Sequence, residues 1–183
     1  MVIPPGLVGQ VTGRGRVWWL TTRGRFLHGG DCMALDPSTS QDDLIAVTAT
    51  PIDPAGVLGH VADAGSGAVV LFLGTVRDHS PGIDRVTHLE YEAYGGVVEA
   101  KIGAVVAEAR EKWDVARVAA VHRTGELAVG EVSVAVAVSS AHRPEAFEAA
   151  RYVIDELKHR APIWKKEHWP GGAEWVREDL RES

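Results

Sequence analysis

The chain is poor in cysteine: of 183 residues only Cys32 carries a thiol. One cysteine excludes an internal disulfide framework and any multi-cysteine zinc site. It also leaves no other thiol in the chain to carry a persulfide. No apolar run approaches the roughly 18 residues of a membrane span. After Met1 comes Pro4-Pro5-Gly6 rather than a basic start leading into an apolar core, so no signal peptide is read and a cytoplasmic location is expected. A surplus of positive charge is missing too. The formal charge of -6 argues against broad nucleic-acid binding, which needs a basic face, but it leaves room for one local basic pocket. The eight histidines form no H-x-x-x-H or H-E-x-x-H pair, so no metal site is expected. Neither a G-x-x-x-x-G-K-[ST] phosphate loop nor a G-x-S-x-G nucleophile elbow occurs, and the chain ends Arg181-Glu182-Ser183 rather than in the Gly-Gly tail of a ubiquitin-like carrier.

What is present suits one domain with a real core: 45% hydrophobic and 24% charged residues. Residues 1–43 read as a separate, mobile N-terminal extension. Glycine recurs there, the basic residues up to Cys32 are all arginine, and Met33 offers an alternative start. The rival reading is a docked arm in which Val17-Trp18-Trp19-Leu20 forms a strand. Residues 44–177 form the domain and 178–183 a tail.

Strands are expected at Leu44–Thr48, Gly67–Val76, Val86–Tyr94, Val115–Val121, Val132–Val138 and Ile163–Trp169, with Glu174-Trp175-Val176 after a Pro170-Gly171-Gly172 turn. The nearly continuous apolar run at 67–76 predicts a central strand covered on both faces. A short helix is expected over Pro54–Ala64, capped by Asp53. Two long helices follow, Gly95–Trp113 and Pro144–His159, the second burying Phe147, Ala150, Ile154 and Leu157. Strands and helices mix without a strict βαβ repeat, so the fold class is α+β.

The chemistry gathers around the second long helix. Lys158 lies at its end, Pro162 forces the backbone out, and Lys165 and Lys166 return on a short strand. Alternation sends Lys165 and Lys166 to opposite faces, so at most one readily shares a pocket with Lys158. Amines crowded in a partly desolvated pocket can lose charge and act as bases or nucleophiles. The bland alternative for Lys158 is a lysine complementing the helix dipole, worth about 0.3–1 kcal/mol. At the other end His142 and Arg143 precede Pro144, where free N–H groups and a guanidinium attract anions, unless they are only a solvated cap. Arg77, Asp78 and His79 leave the most apolar strand into a loop, a common place for ligand contacts, though taken by themselves they read better as an ordinary polar exit turn.

Five blocks, in order, resemble the catalytic (large) subunit of molybdopterin synthase: Phe72-Leu73-Gly74-Thr75-Val76-Arg77-Asp78-His79, Leu89-Glu90-Tyr91-Glu92-Ala93-Tyr94, His122-Arg123-Thr124-Gly125-Glu126-Leu127 with Gly130-Glu131, Ser140 to Ala149, and Leu157 to Glu167. The resemblance implies an α/β-hammerhead fold with a mixed sheet. It also implies a homodimer in which each subunit binds one small ubiquitin-like carrier ending in Gly-Gly, giving a heterotetramer. The carrier's thiocarboxylate would supply sulfur to convert cyclic pyranopterin monophosphate into the molybdopterin dithiolene, with no resident cofactor. By matched position, Lys158 and Lys165 would be the catalytic lysines, while Arg77, His142 and Arg143 would hold the substrate phosphate. Lys166 and Glu167 would complete the pterin pocket and Thr75 and Val76 its wall, with some groups coming from the neighbouring subunit. Thr75 stands where other members often have lysine, and Lys166 where they often have arginine. The rival functions are a lysine-dependent lyase acting on a phosphorylated small molecule and a non-catalytic phosphate-ligand module.

Overall fold

The computed structural model describes residues 43–176 together with the backbone of three short strands near the start of the chain. Those strands, β1 (Leu7–Thr12), β2 (Arg16–Thr21) and β3 (Phe26–Leu27), pair antiparallel in the order β1-β2-β3. Val17–Leu20 therefore lies in a strand, as one of the two readings of the leader had it. The mobility expected of 1–43 rests largely on residues outside the described ones, Met33 among them, and so does the 178–183 tail. The chain divides into two compact units, Met1–Ser40 and Gln41–Ser183.

The second unit runs β4 (Leu44–Thr48), α1 (Pro54–His60), β5 (Ala68–Thr75), β6 (His88–Ala93), α2 (Val97–Lys112), β7 (Val115–Arg123), β8 (Gly125–Ala128), β9 (Val132–Ser140), α3 (Arg143–Arg160), β10 (Ile163–Trp169) and β11 (Gly172–Val176). One four-stranded sheet has the order β4-β7-β9-β5 and the other β11-β10-β6-β8. Only the β4–β7 pair is parallel within these two sheets, so the architecture is mixed α+β with two long helices.

Side-chain alternation in β7 and β9 explains how the layers stack. Val118, Ala120, Val134, Val136 and Val138 face α2 and α3, where Val98, Ile102, Val105, Ala149, Val153 and Leu157 meet them in the main core. The intervening Ala119, Val121, Ala135 and Ala137 face α1, against Val57 and Val61. Beneath the second sheet, Val76, Val86, Leu89, Tyr91 and Leu127 form a smaller core. No helix among the described residues is long and apolar enough to cross a membrane.

Four expectations are corrected. The apolar strand β5 is not central: it pairs only with β9 and lies at the sheet edge, with Val69 47% and Phe72 37% exposed. The covered strands are β7 and β9. An apolar run reports side-chain composition and is silent about which neighbours pair with the backbone. Residues 125–128, expected to belong to the link between two strands, form β8 and pair with β6 in the other sheet. Helix α1 ends at His60, not Ala64. Gly56 and Gly59 weaken it, and Asp63 closes the following turn through the Gly65 N–H at 2.9 Å. Phe147, expected in the core, is 62% exposed. Ala146, Ala149 and Ala150 make the buried stripe there, which brings α3 close to the sheet and turns Phe147 outward.

Glu131 closes the link from β8 to β9. It accepts from Arg123 Nη1 at 2.8 Å and from the Ala128 N–H at 2.7 Å. These two hydrogen bonds, the arginine's first, hold its carboxyl below the ordinary 4.5. A depressed carboxylate contributes stability that is complete above the unfolded-state value and is lost as pH falls through the folded-state value. Glu131→Gln is therefore expected to melt at lower temperature than the parent at pH 7, with the gap closing as pH drops below 4.5. Calorimetry at neutral and acid pH checks this. A gap of constant size would trace the effect to shape rather than charge.

Candidate active site

Charged side chains converge on a cavity of about 240 Å³ where the end of β5, the last turn of α3 and the inner face of the second sheet meet. Phe72, Gly74 and Thr75 come from β5, and Ser133 and Val134 from β9. Leu89 and Tyr91 come from β6 and His122 from β7, while Leu157, Lys158 and Ala161 belong to α3 and its cap. Ile163, Lys165 and Glu167 arrive from β10, and Arg77, His79 and Ser80 from the loop after β5.

Local sequence places the two lysines. Leu157 is 3% exposed and anchors the last turn of α3, so Lys158 stands at the edge of the buried stripe. The Ala161 N–H closes the helix on the Leu157 carbonyl at 2.9 Å, and Ala161 itself is extended at ψ 127°, as the residue before Pro162 must tend to be. Strand β10 starts immediately, and alternation turns Ile163, Lys165 and Glu167 inward. Glu167 is only 3% exposed. A carboxylate so buried is costly unless paired, and Lys165 Nζ lies 3.3 Å from its Oε1 while the Ser80 hydroxyl donates to its Oε2 at 2.5 Å.

The loop after β5 is aimed by an irregularity. Register slips between Gly74 and Thr75 opposite β9, and the Ser133 hydroxyl donates to the Gly74 carbonyl at 3.1 Å. A Cβ on Gly74 would meet Val134 Cγ1 at 2.6 Å, so the close strand approach requires glycine. Beyond it Arg77 enters the cavity wall. Next to it, Asp78 and His79 pair at 2.7 Å, and the hydrogen bond from His79 holds the Asp78 carboxyl below its ordinary value. His122, 5% exposed, meets Tyr91 edge to face at 5.1 Å between ring centres.

Of the residues singled out from sequence, Thr75, Arg77, Lys158, Lys165 and Glu167 line this cavity. Val76 does not: at 3% exposed it packs with Val86, Leu89, Tyr91 and Leu127 behind the wall. Lys166 points to the other face of β10, 3.6 Å from Glu90 and 5.2 Å from the centre of the Trp175 ring, so it does not complete the pocket. His142 and Arg143 are exposed at the far end of α3. Arg143 and Lys158 are fifteen helical steps apart, a rise of roughly 22 Å, which no guanidinium spans within one chain. Ser80, His122 and Tyr91 received no role from the sequence. Tyr91 was within reach of it, because alternation in β6 puts it on the face of the apolar Leu89.

An α+β domain with amines, a guanidinium and a buried carboxylate around one cavity has the charge to hold a small anion. A family model described as "MoaE protein" matches residues 47–160. The chain belongs to that family. The molybdopterin synthase catalytic subunit of Halalkalibacterium halodurans is 42% identical over 135 residues, covering 74% of this chain and 86% of that one. Molybdopterin synthase catalytic subunit 1 of Mycobacterium tuberculosis is 45% identical over 130 residues, 71% of this chain and 88% of the relative. The crystal structure of molybdopterin synthase from Staphylococcus aureus superposes with a TM-score of 0.68 at 36% identity, covering 75% of this chain and 98% of that chain.

Proposed function

We propose that this chain is the catalytic subunit of a molybdopterin synthase working in the cytoplasm. It transfers sulfur from the thiocarboxylated Gly-Gly terminus of a small ubiquitin-like carrier to cyclic pyranopterin monophosphate, without a resident cofactor. The observation that carries this reading is the convergence of Lys158, Lys165 and Arg77 on one cavity. The reaction must bring a thiocarboxylate toward a substrate that already bears a phosphate. Two such charges about 5 Å apart repel by roughly 3 kcal/mol at an effective dielectric of 20. Fixed cations between them remove that barrier, and more strongly where charge develops in the transition state. Lys158 serves as the acid/base or electrostatic partner of the thiocarboxylate, Lys165 as the second amine, and Arg77 as a phosphate ligand.

His142 and Arg143 enter this reading through a second copy of the chain. They stand too far along α3 to reach their own cavity, and Phe147, one turn on from Arg143, is exposed beside them. In a two-fold dimer those cations complete the partner's phosphate site.

The test is reconstitution: purified chain, thiocarboxylated carrier and cyclic pterin, assayed for the dithiolene. Product is expected only with all three present. Turnover of a phosphorylated substrate without carrier would overturn the reading in favour of a lysine-dependent lyase.

A further inference from the structure

We propose that Ser80 is a positioning residue for this reaction: through Glu167 it fixes Lys165 at the cavity and ties the Arg77 loop to the same carboxylate. The proposal deepens the sulfur-transfer reading and rests on it. Ser80 and Glu167 are 87 residues apart, yet the hydroxyl donates to Oε2 at 2.5 Å. The other oxygen, Oε1, faces Lys165 Nζ at 3.3 Å. One carboxylate oxygen thus meets the loop and the other meets the amine. A hydroxyl on one oxygen restrains rotation of the buried carboxylate, and so restrains the direction from which the amine meets the other oxygen.

Ser80 is itself held firmly. Its N–H donates to the Ile83 carbonyl at 3.0 Å and its carbonyl accepts from the Ile83 N–H at 2.9 Å. Pro81 and Gly82 form the turn between them, and Gly82 takes φ +83°, which glycine alone adopts without strain. The Val86 N–H donates to the Asp78 carbonyl at 2.7 Å and pins the loop from its other end. The loop that carries Arg77 and the strand that carries Lys165 therefore share one fastening, which sets the distance between the phosphate ligand and the second amine.

A hydrogen bond to a charged group of this kind is expected to be worth a tenfold to hundredfold change in rate, roughly. Ser80→Ala should lower kcat by about that factor while leaving KM for the pterin nearly unchanged. Ser80→Thr, which keeps a hydroxyl at this position, should restore kcat toward the parent value. A role in loop packing alone would raise KM for the pterin together with any fall in kcat, and the bulkier threonine would not rescue it. Ser80→Cys, similar in shape with a weaker donor, should fall between the two, and it serves as the measured variant should Ser80→Ala fail to fold. An active parent whose kcat is unchanged in the alanine or cysteine variant, or whose loss in Ser80→Ala is not restored by threonine, overturns the positioning role alone. A parent that makes no dithiolene overturns the sulfur-transfer reading and this proposal with it.

Discussion

Lys158→Ala is expected to fold and assemble as the parent does and to make almost no dithiolene. Alanine is the better helix former, and Lys158 sits at the rim of the buried stripe rather than inside it, so the melting temperature should hardly change. What is lost is the amine at the mouth of the cavity. A positioned proton-transfer group contributes about 10²–10⁴ in rate, and a preorganised charge a similar amount, about 10²–10³. A loss of roughly a thousandfold is therefore expected in a single-turnover assay with thiocarboxylated carrier. Lys158→Arg separates the two roles. It keeps the charge but cannot give up a proton near neutral pH, so recovery in that variant would identify electrostatics as the main contribution. Near-normal product from the alanine variant would remove Lys158 from the chemistry altogether.

Mixed dimers of Lys158→Ala and Arg143→Ala should recover activity that neither variant has alone. The prediction follows from the length of α3, which holds Arg143 away from its own cavity. If Arg143 acts across a two-fold axis, a mixed dimer contains one cavity with both defects and one with neither. Random mixing makes half the dimers mixed, so about a quarter of all cavities are intact. If Arg143 acted within its own chain, every cavity in the mixture would carry one defect and nothing would be recovered. Co-expression with two affinity tags isolates the mixed species, in which half the parental activity is expected, roughly. Activity no higher than in the separate variants would overturn the shared-site arrangement.

The meeting of Lys158 and Lys165 was legible before any coordinates. Proline ends the helix, the next strand starts at once, and period-two alternation lets only one of Lys165 and Lys166 readily share a pocket with Lys158; matched position in the family chose Lys165. With Lys165 turned inward, the same rule puts Lys166 on the other face, where the structure has it, although matched position assigned both to the pocket. Helix arithmetic likewise sets His142 and Arg143 one helix length from Lys158. The edge position of β5 was not legible, because pairing is a property of backbone neighbours. Phe147 misled because helical spacing admits it to the stripe, while the three alanines around it let α3 sit too close for a large ring. The Ser80–Glu167 contact was invisible for another reason: no local pattern links two residues that far apart, and it exists only once the two sheets have closed over the cavity.

Only Ala161 and Pro162 lie between α3 and β10. The two amines and the buried acid thus ride on a single stiff stretch of backbone, with nowhere to insert residues without pulling them apart. Transplanting 143–169 as a block into a related scaffold would carry that trio over in register. Its serine fastening would have to be rebuilt from whatever loop the host provides.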